Sequence, residues 1–216
     1  MNFTARLRRL SVLGLLSSVI LGLAGCSLVP APKTDPTRYY VLTGQSADAP
    51  RPDKVDGALV LGVKRIEIAP YLNGKDMVVR ERGNEIVYQS FSRWAEPLTT
   101  SITRTVAGNL ARAGTVERVY AQPFPFDVAR DYDVAIRVFR CEGERKDGKG
   151  VASFSALVEV TESKPAGAII LRKVFTAPEA QWDGKDFGAL ASVLSEQVAA
   201  LGAEIIGALP AAVPAK

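Results

Sequence analysis

The sequence predicts an α+β domain in which two amphipathic helices pack on one face of a mainly antiparallel or mixed sheet. Three observations lead to this prediction. Segments with the two-residue alternation of strands outnumber those with helical periodicity, and most of the strand segments are joined by short turns, as in hairpins. The chain has 216 residues, of which 47% are apolar, so it can bury a hydrophobic core and is not globally disordered.

The N-terminus has the pattern of a secretory signal. Residues 1–9 are basic, and residues 10–24 form an apolar run that is shorter than the roughly 20 residues of a membrane-spanning helix. The run leads into residues 23–26, Leu-Ala-Gly-Cys, which resemble the lipobox of bacterial lipoproteins. We therefore predict a signal peptide over residues 1–25 and acylation of Cys26, for example with palmitate. The alternatives are an ordinary signal peptide or an uncleaved anchor with an incidental cysteine.

The lipobox resemblance also implies a location. In bacterial lipoproteins, Asp directly after the acylated cysteine favours retention at the inner membrane, and here that residue is Ser27. We therefore expect the protein at the periplasmic face of the outer membrane. Residues 26–36 would be the lipidated cysteine and a flexible tether that contains three prolines. Each buried acyl CH₂ contributes ~0.8 kcal/mol, so several acyl chains hold a protein firmly on a bilayer.

The folded domain is expected over residues 37–209, with a linker-like stretch at 47–56 and a loose tail at 210–216. Its strands are predicted from alternating or β-branched runs at 38–43, 58–68, 77–82, 85–89, 116–121, 132–139, 152–161 and 168–176. Within the second of these strands the apolar positions change parity. This change predicts a bulge near Lys64-Arg65.

Turns and helices are predicted from different signals. Gly83-Asn84 is expected to close a tight hairpin, and the charged, glycine-rich segment 142–150 is expected to form the tip of a second one. One helix should begin between Arg93 and Pro97 and end at Gly114, with an apolar stripe of Leu98, Ile102, Val106 and Leu110. A longer amphipathic helix is marked by Phe187, Leu190, Ala191, Leu194, Val198, Leu201, Ile205 and Leu209.

The composition excludes several kinds of chemistry. The chain has no histidine, which excludes a Ser-His-Asp or Cys-His apparatus and His-ligated zinc. Its two cysteines are too few for a cysteine-rich metal site or a disulfide framework. The net charge of +4 becomes +1 without Arg6, Arg8 and Arg9 of the signal, so no basic footprint for nucleic acid remains. We expect no catalytic residues, no cofactor, no metal and no nucleic-acid partner.

Two features resemble reactive sites and are better explained structurally. Residues 143–150 nearly match a phosphate-binding loop, but Gly150 stands where Ser or Thr should hold magnesium, and a strand rather than a helix follows. Cys141 would be an unpaired thiol in an oxidising compartment. We interpret it as a small apolar residue buried within a strand.

Two pairs of acidic residues are also considered. Asp131 and Asp133 share one face of a strand and could perform general acid/base chemistry, although such a pair is more often the solvated start of a strand. Glu142 and Glu144 lie among basic residues, and we expect them to form solvated ion pairs.

A cluster of apolar residues near a turn has two interpretations. Tyr71 and Leu72 follow a proline and precede Asn-Gly, so they lie at a predicted turn; Tyr88, Phe91 and Trp94 are close by in sequence. These side chains either fold back onto the core or protrude as anchors for a protein partner, because aromatic residues on loops concentrate binding energy.

Four segments together carry a family resemblance. They are residues 39–42 (Tyr-Tyr-Val-Leu), 61–72 (Leu-Gly-Val-Lys-Arg-Ile-Glu-Ile-Ala-Pro-Tyr-Leu), 77–80 (Met-Val-Val-Arg) and 93–98 (Arg-Trp-Ala-Glu-Pro-Leu). In this order and spacing they resemble ABC-type transport auxiliary lipoproteins of the PqiC (YmbA) type. The resemblance covers most of residues 37–209.

The resemblance implies a non-catalytic role. Proteins of this type sit at the inner leaflet of the Gram-negative outer membrane, where they accompany MCE-domain proteins and an inner-membrane ABC transporter that move lipids across the periplasm. They are associated with homo-oligomeric rings that dock on an MCE tunnel. For this chain the resemblance implies an MCE-domain partner, with Tyr71, Leu72, Tyr88 and Trp94 as candidate contacts. Two alternatives stay open: another envelope assembly or scaffold lipoprotein, and a periplasmic hydrolase that uses carboxylates.

Overall fold

The described part of the chain is built on one mixed ten-stranded sheet with two helices on one face, which confirms the predicted fold class. The computed structural model describes residues 33–44 and 59–210. Outside the described residues lie the predicted signal peptide, Cys26, most of the tether, the linker-like stretch at 47–56 and all but the first residue of the tail.

The strands are β1 (Arg38–Tyr40), β2 (Leu59–Val63), β3 (Glu67–Ile68), β4 (Asp76–Arg80), β5 (Ile86–Trp94), β6 (Val116–Ala121), β7 (Tyr132–Lys146), β8 (Lys149–Glu162), β9 (Ile169–Thr176) and β10 (Ala180–Trp182). The helices are α1 (Leu98–Leu110) and α2 (Phe187–Ala208), and a short 3₁₀ turn covers Pro70–Leu72.

The long antiparallel pair of β7 and β8 is the centre of the sheet. The other edge of β7 is shared by three short parallel strands, β2, β3 and β4, which pair with it one after another along its length. β5 pairs antiparallel with β4, β1 pairs parallel with β5, and β6 pairs parallel with β2. On the opposite side, β9 and β10 pair antiparallel with β8. Local hairpins and long-range parallel pairs therefore meet on one central strand.

Where the change of parity predicted a bulge, near Lys64-Arg65, the structure has a break between two strands. β2 ends at Val63 and β3 begins at Glu67, and the buried side chains shift from Leu61 and Val63 to Ile66 across the break. The backbone stays attached to the sheet, because the Lys64 N–H donates to the Val134 carbonyl over 2.9 Å.

The second hairpin differs from the prediction, since its tip is much shorter than residues 142–150. β7 continues to Lys146 and β8 begins at Lys149, so only Asp147 and Gly148 form the turn. Both have positive φ, 51° and 77°, as a two-residue turn of type I′ requires. The register shifts after Val138, leaving Phe139 as a bulge. This extra residue interrupts the alternation, so the continuation of the strand was not evident in the sequence.

Both predicted helices are present, and their apolar stripes face the core. All four stripe residues of α1 are at most 2% exposed. The helix ends at Leu110, before the predicted Gly114, because the chain then turns into β6. In α2, Asp186 caps the first turn by accepting from the Gly188 and Ala189 N–H groups. The length and composition of α2 would allow a membrane span, but its inner face is buried as in a core helix.

A short strand that the sequence analysis missed closes the core beneath α2. β10 pairs with the start of β8, and the Trp182 side chain on it is 5% exposed and lies 5.3 Å from Phe187, ring centroid to ring centroid. Three residues are too few to show a periodicity, so only pairing with β8 defines this strand. Trp182 also packs directly over the backbone of Gly143 on β7.

This contact predicts that Gly143→Ala destabilises the domain. A Cβ at this position would lie 2.7 Å from Cζ3 of Trp182 and 3.2 Å from Cδ2 of Leu190, both in the packed core. We expect the free energy of unfolding to fall by about 1–3 kcal/mol, as for other overpacked cores. The measurement is the urea midpoint of the purified protein.

The matched control is Gly108→Ala on α1, where a Cβ would meet no atom within 4 Å. It should raise the free energy of unfolding by roughly 0.5–1 kcal/mol, because alanine is the better helix former. Equal midpoints for the two variants would contradict the packing described for Gly143.

Candidate partner interface

The structure divides the predicted contact residues between the core and the surface. Leu72 and Trp94 are each 3% exposed and belong to the hydrophobic core, so their proposed role as partner contacts is corrected to a packing role. Tyr71 is partly buried against the same core. Tyr88 is 49% exposed. Of the four predicted contacts, only Tyr88 therefore presents a large part of its side chain to solvent.

Two further aromatic side chains lie on the same surface as Tyr88. Tyr39 pairs in register with Arg93, whose neighbour Trp94 points into the core, so Tyr39 and Arg93 lie on the face of the sheet opposite the helices. Phe91 comes directly before Ser92, which pairs with β1 and is buried like Trp94, so Phe91 points to the same side as Arg93. Tyr39 is 60% exposed and Phe91 is 59% exposed. Below, the face opposite the helices is called the open face.

Tyr88 lies on the open face because of a bulge in β5. On β4, Asp76 pairs with Arg93 and Met77 already pairs with Gln89, so three residues of β5 have no partner on β4. Val78, which shares a face with Asp76, pairs with Tyr88. The bulge therefore brings Tyr88 to the face of Arg93. We call Tyr39, Tyr88 and Phe91 the aromatic surface.

Sequence reasoning missed Tyr39 as part of this surface. The residue is more than forty positions away from Tyr88 and Phe91 along the chain. Only the parallel pairing of β1 with β5 joins them. The consecutive tyrosines at 39 and 40 were the available signal, since one residue of such a pair in an edge strand must face outward.

A buried ion pair lies beside the aromatic surface, on the open face. Arg80 Nε donates to Glu142 Oε1 over 2.7 Å, and the two side chains are 12% and 0% exposed. The prediction that Glu142 is solvated is therefore wrong. Its strand continues past the predicted end, and the Pro70–Leu72 turn and β4 cover its side chain. Glu144, by contrast, pairs with the more exposed Arg140 over 3.1 Å, as expected.

The ion pair joins four segments of the chain. Arg80 also donates to the Gly83 carbonyl at the hairpin tip over 3.1 Å, and its guanidinium carbon lies 5.7 Å from the centroid of the Tyr71 ring. The Tyr71 hydroxyl donates to the Phe139 carbonyl over 3.0 Å, at the bulge of β7. Burial, and after it the Glu142 carboxylate, raise the pKa of Tyr71, so its hydroxyl remains a donor. This network holds the 3₁₀ turn and the β4–β5 hairpin in place.

The carboxylate pair considered for acid/base chemistry is used for structure. Asp131 Oδ2 accepts from the Val60 N–H over 2.6 Å, which ties β2 to the start of β7. Asp133 accepts from Arg130 Nε over 2.9 Å and from the Ser163 hydroxyl over 3.4 Å. Each of the two carboxylates therefore accepts at least one hydrogen bond that ties neighbouring segments together.

The other reactive-looking features also have structural roles. The near match to a phosphate-binding loop forms two antiparallel strands and a turn, without a helix behind it. Cys141 is buried in the core, and burial, followed by the charge of Glu142, raises the pKa of its thiol. Among residues 33–44 and 59–210, no three acidic or thiol side chains come together as a metal site.

Comparison with known proteins decides the family. The family model for ABC-type transport auxiliary lipoprotein components matches residues 40–206, which is most of the chain. The chain belongs to this family. No curated protein matches this auxiliary lipoprotein in sequence. Membership supports a non-catalytic role as an auxiliary transport component, as the sequence analysis expected.

Solved structures share the fold of the auxiliary lipoprotein. Protein XCC0632 from Xanthomonas campestris, of family DUF330, is 19% identical; the match covers 79% of this chain and 93% of that one, with a TM-score of 0.66. A second, uncharacterized protein is 20% identical, and that match covers 79% of this chain and 97% of the other, with a TM-score of 0.59. Both likenesses concern the fold.

The buried ion pair predicts that Glu142→Ala is strongly destabilising. The substitution would leave the Arg80 guanidinium buried without its carboxylate, which costs about 3–5 kcal/mol in comparable buried pairs. The measurement is the free energy of unfolding from urea titration, with exposure of the Tyr71 region followed by hydrogen exchange.

Glu144→Ala is the matched control, because it removes the same group two residues away from a pair that is partly exposed to solvent. Its cost should be about 1 kcal/mol or less. If the two variants lose the same stability, the Arg80–Glu142 pair does not hold the network together.

Proposed function

We propose that this lipoprotein is the outer-membrane component of an MCE/ABC-type lipid transport system, held at the periplasmic face by acyl chains on Cys26. The observation that carries the proposal is the family match over residues 40–206. The N-terminal pattern ending at Cys26 supports the anchor, and Ser27 supports the outer membrane. The MCE-domain partner and the lipid cargo follow from the resemblance of the sequence to PqiC-type proteins.

In the proposed mechanism the protein positions its partner at the membrane, and no covalent bond is made or broken. The acyl chains fix the N-terminus in the bilayer, and eleven residues, 27–37, separate Cys26 from β1, which gives the domain a reach of at most about 40 Å. Within this distance the partner is met at a raised effective concentration. The lipid passes through the bore of the partner, or through the centre of a ring, by hydrophobic contact.

The aromatic surface is the proposed docking site. Tyr39, Tyr88 and Phe91 are each half-exposed or more, and aromatic side chains bury roughly 150–250 Å² each when fully covered. Such residues dominate the binding energy of protein interfaces. The surface also lies on β1, directly after the tether, so a partner bound there is near the membrane.

A homo-oligomeric ring is part of the same proposal. Among the described strands, β1, β6 and β9 each pair on one side only, so each offers an open strand edge. A role as another envelope scaffold lipoprotein is the alternative, and the identity of the docked partner distinguishes the two. The engagement of Asp131 and Asp133 in structural hydrogen bonds disfavours the hydrolase.

The anchor predicts that Cys26→Ser abolishes acylation. In cells fed radiolabelled palmitate, this variant should accumulate as unprocessed precursor without label, because the thiol that carries the lipid is gone. Cys141→Ala is the matched control: this cysteine is buried, so its removal should leave labelling complete. Persistent label on the Cys26 variant would disprove the lipobox assignment.

The docking site predicts site-specific cross-linking to the partner. A photoreactive phenylalanine analogue at position 91 or 88 should give a covalent adduct with an MCE-domain protein in intact cells. The control position is Ser192, which is exposed on α2 on the opposite side of the sheet. An adduct from Ser192 alone would place docking on the helices, and an adduct with a second copy would assign the aromatic surface to the ring.

A further inference from the structure

A second, chemically different surface lies on the open face. The segment between β2 and β3 borders a cavity of about 500 Å³. This volume is within the usual range for small-ligand sites. Ala135 of β7 and Leu157 of β8 line the floor of this cavity. None of the predicted contact residues borders it, so it is separate from the aromatic surface.

The cavity has an excess of positive charge. Its charged lining residues are four cations and two carboxylates: Lys64, Arg65, Arg137, Arg172, Glu67 and Glu159. Arg137 pairs with Glu67 over 2.7 Å, and Arg172 pairs with Glu159 over 3.4 Å. Within the described ranges, Lys64 and Arg65 have no carboxylate partner. Two positive charges therefore remain for an anionic ligand.

The backbone beneath these two cations is fixed by hydrogen bonds. Lys64 is attached to β7 through its N–H, and the Arg65 N–H donates to Gln122 Oε1 over 2.9 Å. The Gln122 N–H in turn donates to the Val63 carbonyl over 2.9 Å. The hydrogen bond that Oε1 accepts from Arg65 therefore orients the Gln122 side chain. The hydrogens on Nε2 of Gln122 make no hydrogen bond to a described residue. They add neutral donors beside the two cations.

An apolar strip, formed by the side chains of Leu157 and Val174, continues from the cavity across the sheet. Arg137 on β7, Leu157 on β8 and Val174 on β9 pair in register and share the open face. Val174 is 59% exposed. A ligand that covers both regions must therefore combine an anionic group with an apolar part.

We propose that this cationic cavity binds the phosphate headgroup of an anionic phospholipid, with the first carbons of the acyl chains on Leu157 and Val174. The cavity supplies charge for the phosphate, and the strip next to it supplies apolar contact for the chains. An acidic peptide would use the charge but would leave the strip uncovered. The proposal rests on the proposed function in one respect, because the Cys26 anchor places a bilayer within reach.

The test measures lipid retention by the lipidated full-length protein in a neutral detergent. Native mass spectrometry counts bound phosphatidylglycerol for the wild type and for Lys64→Gln/Arg65→Gln. Because two of the four cations that line the cavity are removed, the double variant should lose at least about tenfold in affinity. A matched control is Lys146→Gln/Lys149→Gln, which removes the same charge from exposed residues around the β7–β8 turn. It should bind as the wild type does.

Each other outcome overturns the proposal. Equal losses in both double variants would show an unspecific charge effect. Retention of phosphatidylglycerol by the Lys64/Arg65 variant would exclude the cavity. Equal binding of glycerol 3-phosphate would assign a free phosphate ester, and binding of an acidic peptide without lipid would assign a protein partner. None of these results alters Cys26 labelling or cross-linking from Phe91, so the two proposals fail independently.

Discussion

The pairing of β7 with β8 is the constraint on which the rest of the structure depends. Fourteen residue pairs join these strands, and β7 still has its other edge free for β2, β3 and β4. A strand that is paired on both edges cannot slip by one residue without turning its buried residues outward. The bulge at Phe139 changes the parity once, between the part that pairs with β3 and the part that pairs with β4. The register of this one strand therefore decides which side chains of the neighbouring strands reach each face.

The two faces of the sheet have different roles as a consequence. One face is covered by α1 and α2 and contains nearly all of the buried apolar residues. The open face has the aromatic surface at one end and the cationic cavity at the other, with the Arg80–Glu142 pair buried between turn and strand. A buried ion pair rarely stabilises a fold more than apolar packing would. Here the ion pair fixes orientation, because its charge and hydrogen bonds hold the Pro70–Leu72 turn in place beside the aromatic surface.

This arrangement suits the non-catalytic auxiliary role in transport that the family supports. The acidic pairs, the free thiol and the loop-like glycines are all engaged in packing or hydrogen bonds. Among residues 33–44 and 59–210, the surfaces considered for binding are the aromatic surface, the cationic cavity and the open strand edges. In the two proposals, the aromatic surface binds a protein partner and the cationic cavity binds a lipid, and both lie on one face of the sheet.

The sequence by itself determined the α+β class, both helices, most strands and the family, because these depend on local periodicity and on the order of short segments. It also identified Cys141 as a buried strand residue. Tertiary structure alone decided which aromatic residues are exposed: Trp94 is buried and Tyr39 is not, since parallel pairing of distant strands and the bulge of β5 set their faces. It also decided that Glu142 is buried, because its partner Arg80 is 62 residues away. Long-range pairing leaves no local periodicity, so no pattern in the sequence could reveal it.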